Sequence, residues 1–255
     1  MMVYKMNEFK LVNDYMLFRL GATEMSREFK IVETERRHKR ESSYGYVHMI
    51  WIVKFADDSV IASIPLNTSE KVKSFLCENI NQYDIYDNFF VSQLKDLADF
   101  ESKRIFGKES CGYTPSSIFA CNSNTIASAN ENINVMRITD NSFECCDDIH
   151  FPDHCLPNGI IYSVVENNRI VSLAHAHKTG EYQDIVADIG VDTSIDYRRK
   201  GYARECVKFV ARHFIEKGGE SVYSCSPDNI ASVNTALAAG YKPFGKSIAF
   251  TVIPE

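Results

Sequence analysis

Residues 185–203 read IVADIGVDTSIDYRRKGYA, and this stretch of the 255-residue chain decides the fold. Its first part, Ile185 to Thr193, is predicted to form a strand. Its second part holds a cationic turn, Arg198-Arg199-Lys200-Gly201, that leads directly into a predicted helix. From Ala203 onward, apolar residues recur at helical spacing until Gly218-Gly219 ends the pattern. The stretch therefore predicts a strand, a basic glycine-containing turn and a helix N-terminus in succession.

A turn of this composition suits a diphosphate. The first backbone N–H groups of a helix have no partner within the helix, and the helix dipole places positive potential at the same end. Arg198, Arg199 and Lys200 add positive charge, and Gly201 lets the backbone approach an anion closely. The alternative is a solvated basic turn whose glycine only satisfies the backbone conformation. Both interpretations stay open on the turn alone.

The strands and helices predicted around this turn are separated by clear turn and capping signals. Two strands flank Glu166-Asn167-Asn168-Arg169, where paired asparagines tolerate the positive φ of a tight hairpin turn. After the long helix come a further strand, a helix with Ser226 as N-cap and Pro227 at its first position, and a last strand. The predicted bounds are Ile160 to Val165, Ile170 to His177, Ser221 to Cys225, Ser226 to Gly240 and Ser247 to Ile253.

The first half of the chain is predicted to be mixed α and β. Tyr46 to Phe55 and Ser59 to Leu66 have the composition of strands, and Glu70 to Ile80 is expected to be helical. The basic run Arg36 to Arg40 is expected to be a solvated face. A segment crowded with Ser, Asn and Thr, Cys111 to Asn134, marks the candidate boundary between domains at 1–128 and 129–255.

Composition narrows the classes of function. The formal net charge of −6 and the pI near 5.7 argue against a general nucleic-acid binder, which needs a basic surface. No stretch has the apolar length of a signal peptide or a membrane span, so we expect a cytoplasmic protein without a membrane partner. The eight cysteines form no C-x-x-C pair, so the sequence predicts no metal site and no disulfide framework.

The motif Arg198-x-x-Gly201-x-Ala203, in this order of elements, resembles the GNAT superfamily of acyl-CoA N-acyltransferases. The resemblance covers roughly Asn134 to Ile253 and is closest to longer bacterial acetyltransferases with an extra N-terminal half. It implies an α/β (α+β) fold whose mixed, mostly antiparallel sheet is splayed at an acetyl-CoA site. One interpretation of the N-terminal half is a degenerate copy of the same fold that binds no CoA and shapes the acceptor cleft.

The resemblance also implies cofactor-binding roles. Backbone amides from about Arg199 to Ala203, including Lys200, Gly201 and Tyr202, would hold the CoA pyrophosphate, with Arg198 and Arg199 adding charge. Val191, Asp192 and Thr193 would pair through their backbone with the pantetheine arm like an extra strand. Asn229 occupies a place where many members have an asparagine near the pantetheine, and helix capping is its alternative role. Ser232 completes the predicted cofactor-binding residues.

The chain differs from many members of the family at the position of the general acid. Many members have a tyrosine seven residues after that asparagine, which protonates the leaving thiolate, whereas this chain has Ala236. Tyr241 is the predicted substitute, and Tyr202 and Tyr223 are alternatives. A thiol with a pKa of about 8–9 also leaves tolerably well without a dedicated acid.

A general base is needed because an alkylamine is mostly protonated at neutral pH, and only its neutral form attacks a thioester. Asp188 is the predicted base because relatives often carry a glutamate at this place, and Asp184 and Asp192 are alternatives. The alternation of side chains along the strand does not settle the choice, since a bulge would change which side chains face the cleft. His175 and His177 share one strand face; they could take the proton, bind a metal or serve as ordinary polar residues.

Gly240-Tyr241-Lys242-Pro243-Phe244-Gly245-Lys246-Ser247 matches the P-loop pattern of nucleotide-binding proteins. A P-loop leaves a strand and opens a helix, whereas this segment is predicted to leave a helix and enter a strand. A nucleotide site is therefore not expected here.

These observations predict an N-acetyltransferase that moves an acetyl group from acetyl-CoA to a primary amine by direct attack. The acceptor is expected to be an amine of a small molecule or a peptide. The alternative, motivated by Ala236, is a sensor that binds acyl-CoA without turnover.

Overall fold

A computed structural model describes residues 6–26, 28–40, 45–140, 142–149 and 159–254. The chain divides into two compact units, residues 1–118 with 244–255, and residues 119–243. The helices are α1 (Lys10–Leu20), α2 (Glu70–Asn79), α3 (Asn88–Phe106), α4 (Tyr202–Ile215) and α5 (Ile230–Ala239). The strands are β1 (Lys30–Glu33), β2 (Val47–Phe55), β3 (Val60–Ile64), β4 (Tyr113–Cys121), β5 (Met136–Arg137), β6 (Glu144–Cys145), β7 (Ile161–Glu166), β8 (Arg169–His177), β9 (Val186–Thr193), β10 (Glu220–Cys225) and β11 (Lys242–Val252). The domain boundary after residue 128 stays a prediction, whereas packing divides the units after Ile118 and after Pro243.

The first unit is built on strands in the order β1-β3-β2-β11. β1 and β3 are parallel, whereas β2 pairs antiparallel with both β3 and β11. Strand β2 is almost continuously apolar and buried, which is the pattern of a strand covered on both faces. Its residues and those of β11 join α2 and α3 in one hydrophobic core.

In the basic run of the first unit, His38, Lys39 and Arg40 are exposed, as expected of a solvated face, whereas Arg37 departs from the expectation. Arg37 is only 2% exposed, and its guanidinium donates hydrogen bonds to the carbonyl oxygens of His48 and Arg19. The guanidinium carbon also lies 5.4 Å from the centre of the Trp51 ring. Sequence composition could not reveal this burial because it depends on carbonyl groups far along the chain.

The second unit contains strands in the order β10-β9-β8-β7-β5, with β6 beside β8. The β7–β8, β8–β9 and β5–β7 pairs are antiparallel, and only β9–β10 is parallel among the pairs within this order. The predicted hairpin turn is confirmed, since Asn167 and Asn168 have φ values of 50° and 62°. The fold is therefore mixed α/β with a mostly antiparallel open sheet, as predicted.

Helix α4 covers one face of this sheet. Its apolar residues Cys206, Val207, Val210, Ala211 and Phe214 are buried in a core that also holds Ala187 and Ile189 of β9. Gly201 precedes the helix with a φ of 84°, a left-handed conformation that glycine adopts without steric cost. This glycine allows the chain to turn abruptly from the basic segment into the helix.

The start of α5 differs from the prediction. Asn229, and not Ser226, is the N-cap, because its Oδ1 accepts a hydrogen bond from the Ser232 amide at 3.1 Å. Gly240 ends the helix with a φ of 100°, and the chain then enters β11 at Lys242, earlier than predicted. The P-loop-like segment therefore leads from a helix into a strand, as predicted. Among the described residues, no helix is both long and apolar enough to cross a membrane.

Candidate functional site

The sheet of the second unit opens into a fork between β9 and β10. The two strands pair from Val186 with Glu220 to Ile189 with Tyr223. Beyond that register β9 runs on to Thr193 and stays paired with β8 on its other side. The last residues of β9 therefore present a backbone edge toward the open side of the fork.

The basic turn lies directly after this edge. A short 3-10 helix, Ile195–Tyr197, joins β9 to the turn, and the Asp148 carboxylate accepts a hydrogen bond from the Ile195 amide at 2.7 Å. Arg198 donates from Nε to the Thr193 carbonyl at 3.2 Å, which ties the turn to the end of β9. Arg199 has a φ of 64°, an unusual conformation for a residue with a side chain.

The fork, the turn and α5 enclose one cleft with a volume of about 520 Å³. It is lined by Val191, Asp192, Thr193, Tyr197, Arg198, Arg199, Gly201, Tyr202, Ala203, Arg204, Tyr223, Asn229, Ala231, Ser232, Asn234, Thr235 and Ala238. All the predicted cofactor-binding residues except Lys200 are in this set. The Lys200 ammonium instead lies 4.5 Å from the centre of the Tyr197 ring. The structure thus brings together residues predicted from three separate parts of the sequence.

Sequence reasoning missed the contribution of one face of α5. Ala231, Asn234, Thr235 and Ala238 recur at the spacing of successive helical turns, so they lie along one side of the helix. These four residues form the wall of the cleft on the α5 side. The helical spacing of small residues after Asn229 was the available signal for this face.

Arg204 is a further lining residue that the sequence did not single out. Its Nε donates to Oε1 of Glu205 at 2.9 Å, and Lys208 donates to the same oxygen at 2.9 Å. Oε2 of Glu205 accepts a hydrogen bond from the Asn130 amide at 2.9 Å. Burial alone raises the pKa of Glu205, but these hydrogen bonds outweigh it and hold the pKa below its ordinary value. A buried carboxylate therefore orients one wall of the cleft.

Of two buried tyrosines near the cleft, one lines it and the other does not. The Tyr223 hydroxyl is 2.7 Å from the Ser232 hydroxyl, and both residues line the cleft. The Tyr241 hydroxyl lies 2.5 Å from the Ser221 hydroxyl, and within the described residues Tyr241 is not part of the lining. Burial raises the pKa of Tyr223 to about 12, and burial also raises the pKa of Tyr241. Both hydroxyls therefore stay protonated at neutral pH.

The predicted base, Asp188, lies on the sheet face opposite α4. Ala187 and Ile189 pack in the core with α4, so the intervening Asp188 points away from it. In the register of β8 and β9, Asp188 is directly opposite His177, and Gly190 is opposite His175. Asp192 lies on the same face as Asp188 and lines the cleft, whereas Asp184 precedes β9 and is exposed.

Residues 131–241 match the model of the acetyltransferase (GNAT) family. No curated protein matches the chain. Within the described parts of the chain, no group of three or more His, Cys, Asp or Glu side chains has an arrangement that could hold a metal ion.

The chain is also similar to solved structures. A GNAT-family protein from Novosphingobium aromaticivorans aligns with a TM-score of 0.45 and 12% identity over 56% of this chain and 66% of that chain. A GNAT-family acetyltransferase from Colwellia psychrerythraea aligns with a TM-score of 0.45 and 14% identity over 74% and 75% of the two chains. A functionally unknown conserved protein from Staphylococcus epidermidis aligns with a TM-score of 0.45 and 11% identity over 79% and 87%. This chain therefore covers just under two thirds of the Novosphingobium protein.

Proposed function

Because residues 131–241 match the model of the acetyltransferase (GNAT) family, we propose that this protein transfers an acetyl group from acetyl-CoA to a primary amine. The observation that carries the proposal is the cleft at the fork. There, the part of β9 that extends beyond its pairing with β10 and a cationic helix N-terminus meet in one space of about 520 Å³. These are the features that an extended thioester with a diphosphate requires.

The basic turn binds the diphosphate of CoA in this proposal. The amides of the turn and of the first residues of α4, from Arg199 to Ala203, donate hydrogen bonds to the phosphate oxygens, and the helix dipole favours the negative charge. Arg198 and Arg199 supply charge, and Arg204, held by Glu205, adds a third guanidinium to the wall. Lys200 contributes its backbone amide, since its ammonium lies against Tyr197.

The edge of β9 binds the pantetheine arm. Val191, Asp192 and Thr193 line the cleft beyond the last β9–β10 pair, so this edge of β9 borders the open fork. An amide of this arm can pair with them as an added strand would. Asn229 and Ser232 on α5 face the same space and contribute polar groups, although Oδ1 of Asn229 already caps the helix.

The chain's own side chains then serve the transfer. Asp188, or a water that it orients, removes the proton from the acceptor amine, and backbone amides of β9 polarise the thioester carbonyl. Tyr223 donates a hydrogen bond to the departing thiolate, because its hydroxyl lies at the wall of the cleft beside Ser232. Tyr241 is the alternative donor. The acceptor is an amine of a small molecule or a peptide.

Calorimetry with acetyl-CoA tests cofactor binding by the intact chain, and a thiol assay with a panel of amines tests turnover. We expect one bound acetyl-CoA per chain and release of free CoA that depends on the amine. Lack of acetyl-CoA binding by folded protein would refute the proposal. Binding without release of CoA would favour the sensor that Ala236 suggested.

A further inference from the structure

Two imidazoles lie against the backbone of Gly190. A Cβ atom at this position would be 2.3 Å from Cε1 and 2.6 Å from Nε2 of His175, and 2.9 Å from Nε2 of His177. The two rings have a centroid separation of 4.5 Å and an interplanar angle of 77°. Side chains do not approach a Cβ this closely, so only glycine at position 190 permits this packing.

Gly190 marks the place where the sheet forks. Ile189 is the last β9 residue that pairs with β10, and Val191 is the first β9 residue that lines the cleft. The glycine therefore lies between the closed and the open part of the sheet. Both imidazoles lie at this point, where the end of an extended pantetheine would reach the paired strands.

The histidines occupy the face opposite α4. Ala174 and Ala176 of β8 belong to the core that holds α4, so His175 points away from that core. The charged residues on the same face are Asp188 and Asp192 of β9 and Glu220 of β10. Ile161 of β7 and Val222 of β10 face it without charge. An amine that reaches the thioester from this side meets imidazoles and carboxylates.

Resting on the proposed function, we propose that His175, in place of Asp188 or a water that Asp188 orients, takes the proton from the acceptor amine. His177 and Gly190 are positioning residues: the first packs edge-on against the His175 ring, and the second leaves space for it. Asp188 acts through His177, its direct neighbour across the strands, by stabilising positive charge on the imidazole pair. Position favours His175 over His177, since it is opposite Gly190 at the fork.

The proposed proton transfer and acetyl transfer need no reactant besides the amine and acetyl-CoA. An imidazole nitrogen of His175 accepts a proton from the ammonium form of the acceptor, which leaves a neutral amine. The amine nitrogen forms a bond to the acetyl carbon, and the carbon–sulfur bond breaks. The second nitrogen proton passes to the thiolate, which gives the amide and CoA, and His175 releases the first proton to the solvent.

A spectroscopic test needs no acceptor amine. In protein labelled with ¹⁵N-histidine, His175→Gln and His177→Gln variants assign the two imidazole signals. We expect both signals to shift on saturation with acetyl-CoA, whereas the signal of His213 on α4 stays in place. A His175 signal that does not move while calorimetry reports bound acetyl-CoA would overturn this inference and leave the proposed function intact.

Turnover provides the second test. With an amine that the wild type acetylates, His175→Ala should lower kcat by about 100-fold or more, as loss of a general base does. The dissociation constant for acetyl-CoA should stay within about threefold, and added imidazole should restore part of the rate. His213→Ala is the matched control and should keep wild-type turnover. Wild-type kcat in folded His175→Ala would contradict the proposed role.

Gly190→Ala tests the positioning. The added methyl group must displace the His175 ring, so we expect the ¹⁵N signals to change even without acetyl-CoA. We also expect kcat to fall by about as much as it does in His175→Ala. Unchanged imidazole signals in this variant would refute the packing on which the inference rests. Failure of acetyl-CoA to bind wild-type protein would instead refute the proposed function, and this inference would fall with it.

Discussion

The hydroxyl oxygens of Tyr223 on β10 and Ser232 on α5 lie 2.7 Å apart, and both residues line the cleft. If Tyr223 donates a hydrogen bond to the departing thiolate, Tyr223→Phe should lower kcat by about 100-fold. Binding of acetyl-CoA should change little, because the ring remains. Steady-state release of CoA thiol and calorimetry measure the two quantities.

Tyr241→Phe is the matched control. Its hydroxyl bonds to Ser221 in the core, so removal should lower the free energy of unfolding by about 1 kcal/mol and leave kcat within a few-fold of wild type. If Tyr241 is instead the donor, as the sequence predicted, Tyr241→Phe should have a lower kcat than Tyr223→Phe. The pair of variants therefore distinguishes the two tyrosines.

Gly201→Ala should weaken acetyl-CoA binding by at least tenfold. The position has a φ of 84°, and an added Cβ would lie 3.3 Å from a guanidinium nitrogen of Arg204. The backbone strain costs about 1–2 kcal/mol, and the turn that presents its amides to the diphosphate is distorted. Gly218→Ala is the control, with a φ of 82° and no atom within 4 Å of the added Cβ. Both variants should lose similar stability, but only Gly201→Ala should lose affinity in calorimetry.

Glu205→Gln should change the pH dependence of stability. The folded pKa of Glu205 lies below its unfolded value, so its stabilisation is present above the unfolded pKa and is lost as the pH falls through the folded pKa. We expect the variant to be about 3 kcal/mol less stable at pH 7, because Lys208 and Arg204 lose their carboxylate partner. Below about pH 4 the difference should shrink. Urea unfolding at several pH values measures it, and a pH-independent difference would contradict this account.

Ala236→Tyr, which introduces the tyrosine that many GNAT members carry, should not raise kcat. Ala236 is fully buried in a core with Tyr223 and Tyr241, so a larger side chain should cost about 2 kcal/mol in the free energy of unfolding. Leu237→Tyr at the adjacent, 45% exposed position is the control and should be nearly neutral. Thermal unfolding and the thiol assay check both expectations, and a raised kcat in Ala236→Tyr would show that the cleft accepts the ring.

The second unit followed the sequence closely because its signals are local. The predicted helix from Ala203 is observed as α4, and the predicted strand Ile185 to Thr193 is observed as β9 within one residue. Arg198, Arg199, Gly201, Tyr202 and Ala203, which line the cleft, were predicted from the motif, since the basic turn, its glycine and the helix N-terminus lie close together in sequence.

The remaining features depend on contacts between distant parts of the chain. Strand β4 lies within the segment expected to be irregular, because only its last four residues are fully buried and its first part is rich in Ser and Thr. Helices α1 and α3 were not predicted at all. The approach of His175 to Gly190 depends on strand register, which the histidine spacing alone does not specify.

The pairing of β2 with β11 has a consequence for synthesis on the ribosome. Val47 to Phe55 emerge early, whereas their partner segment, Gly245 to Val252, is translated after the whole second unit. At ordinary elongation rates this interval lasts on the order of ten seconds or more. A nascent chain therefore carries an apolar strand with an unoccupied hydrogen-bonding edge during that time, and chaperones that hold extended apolar segments have a defined period in which to act.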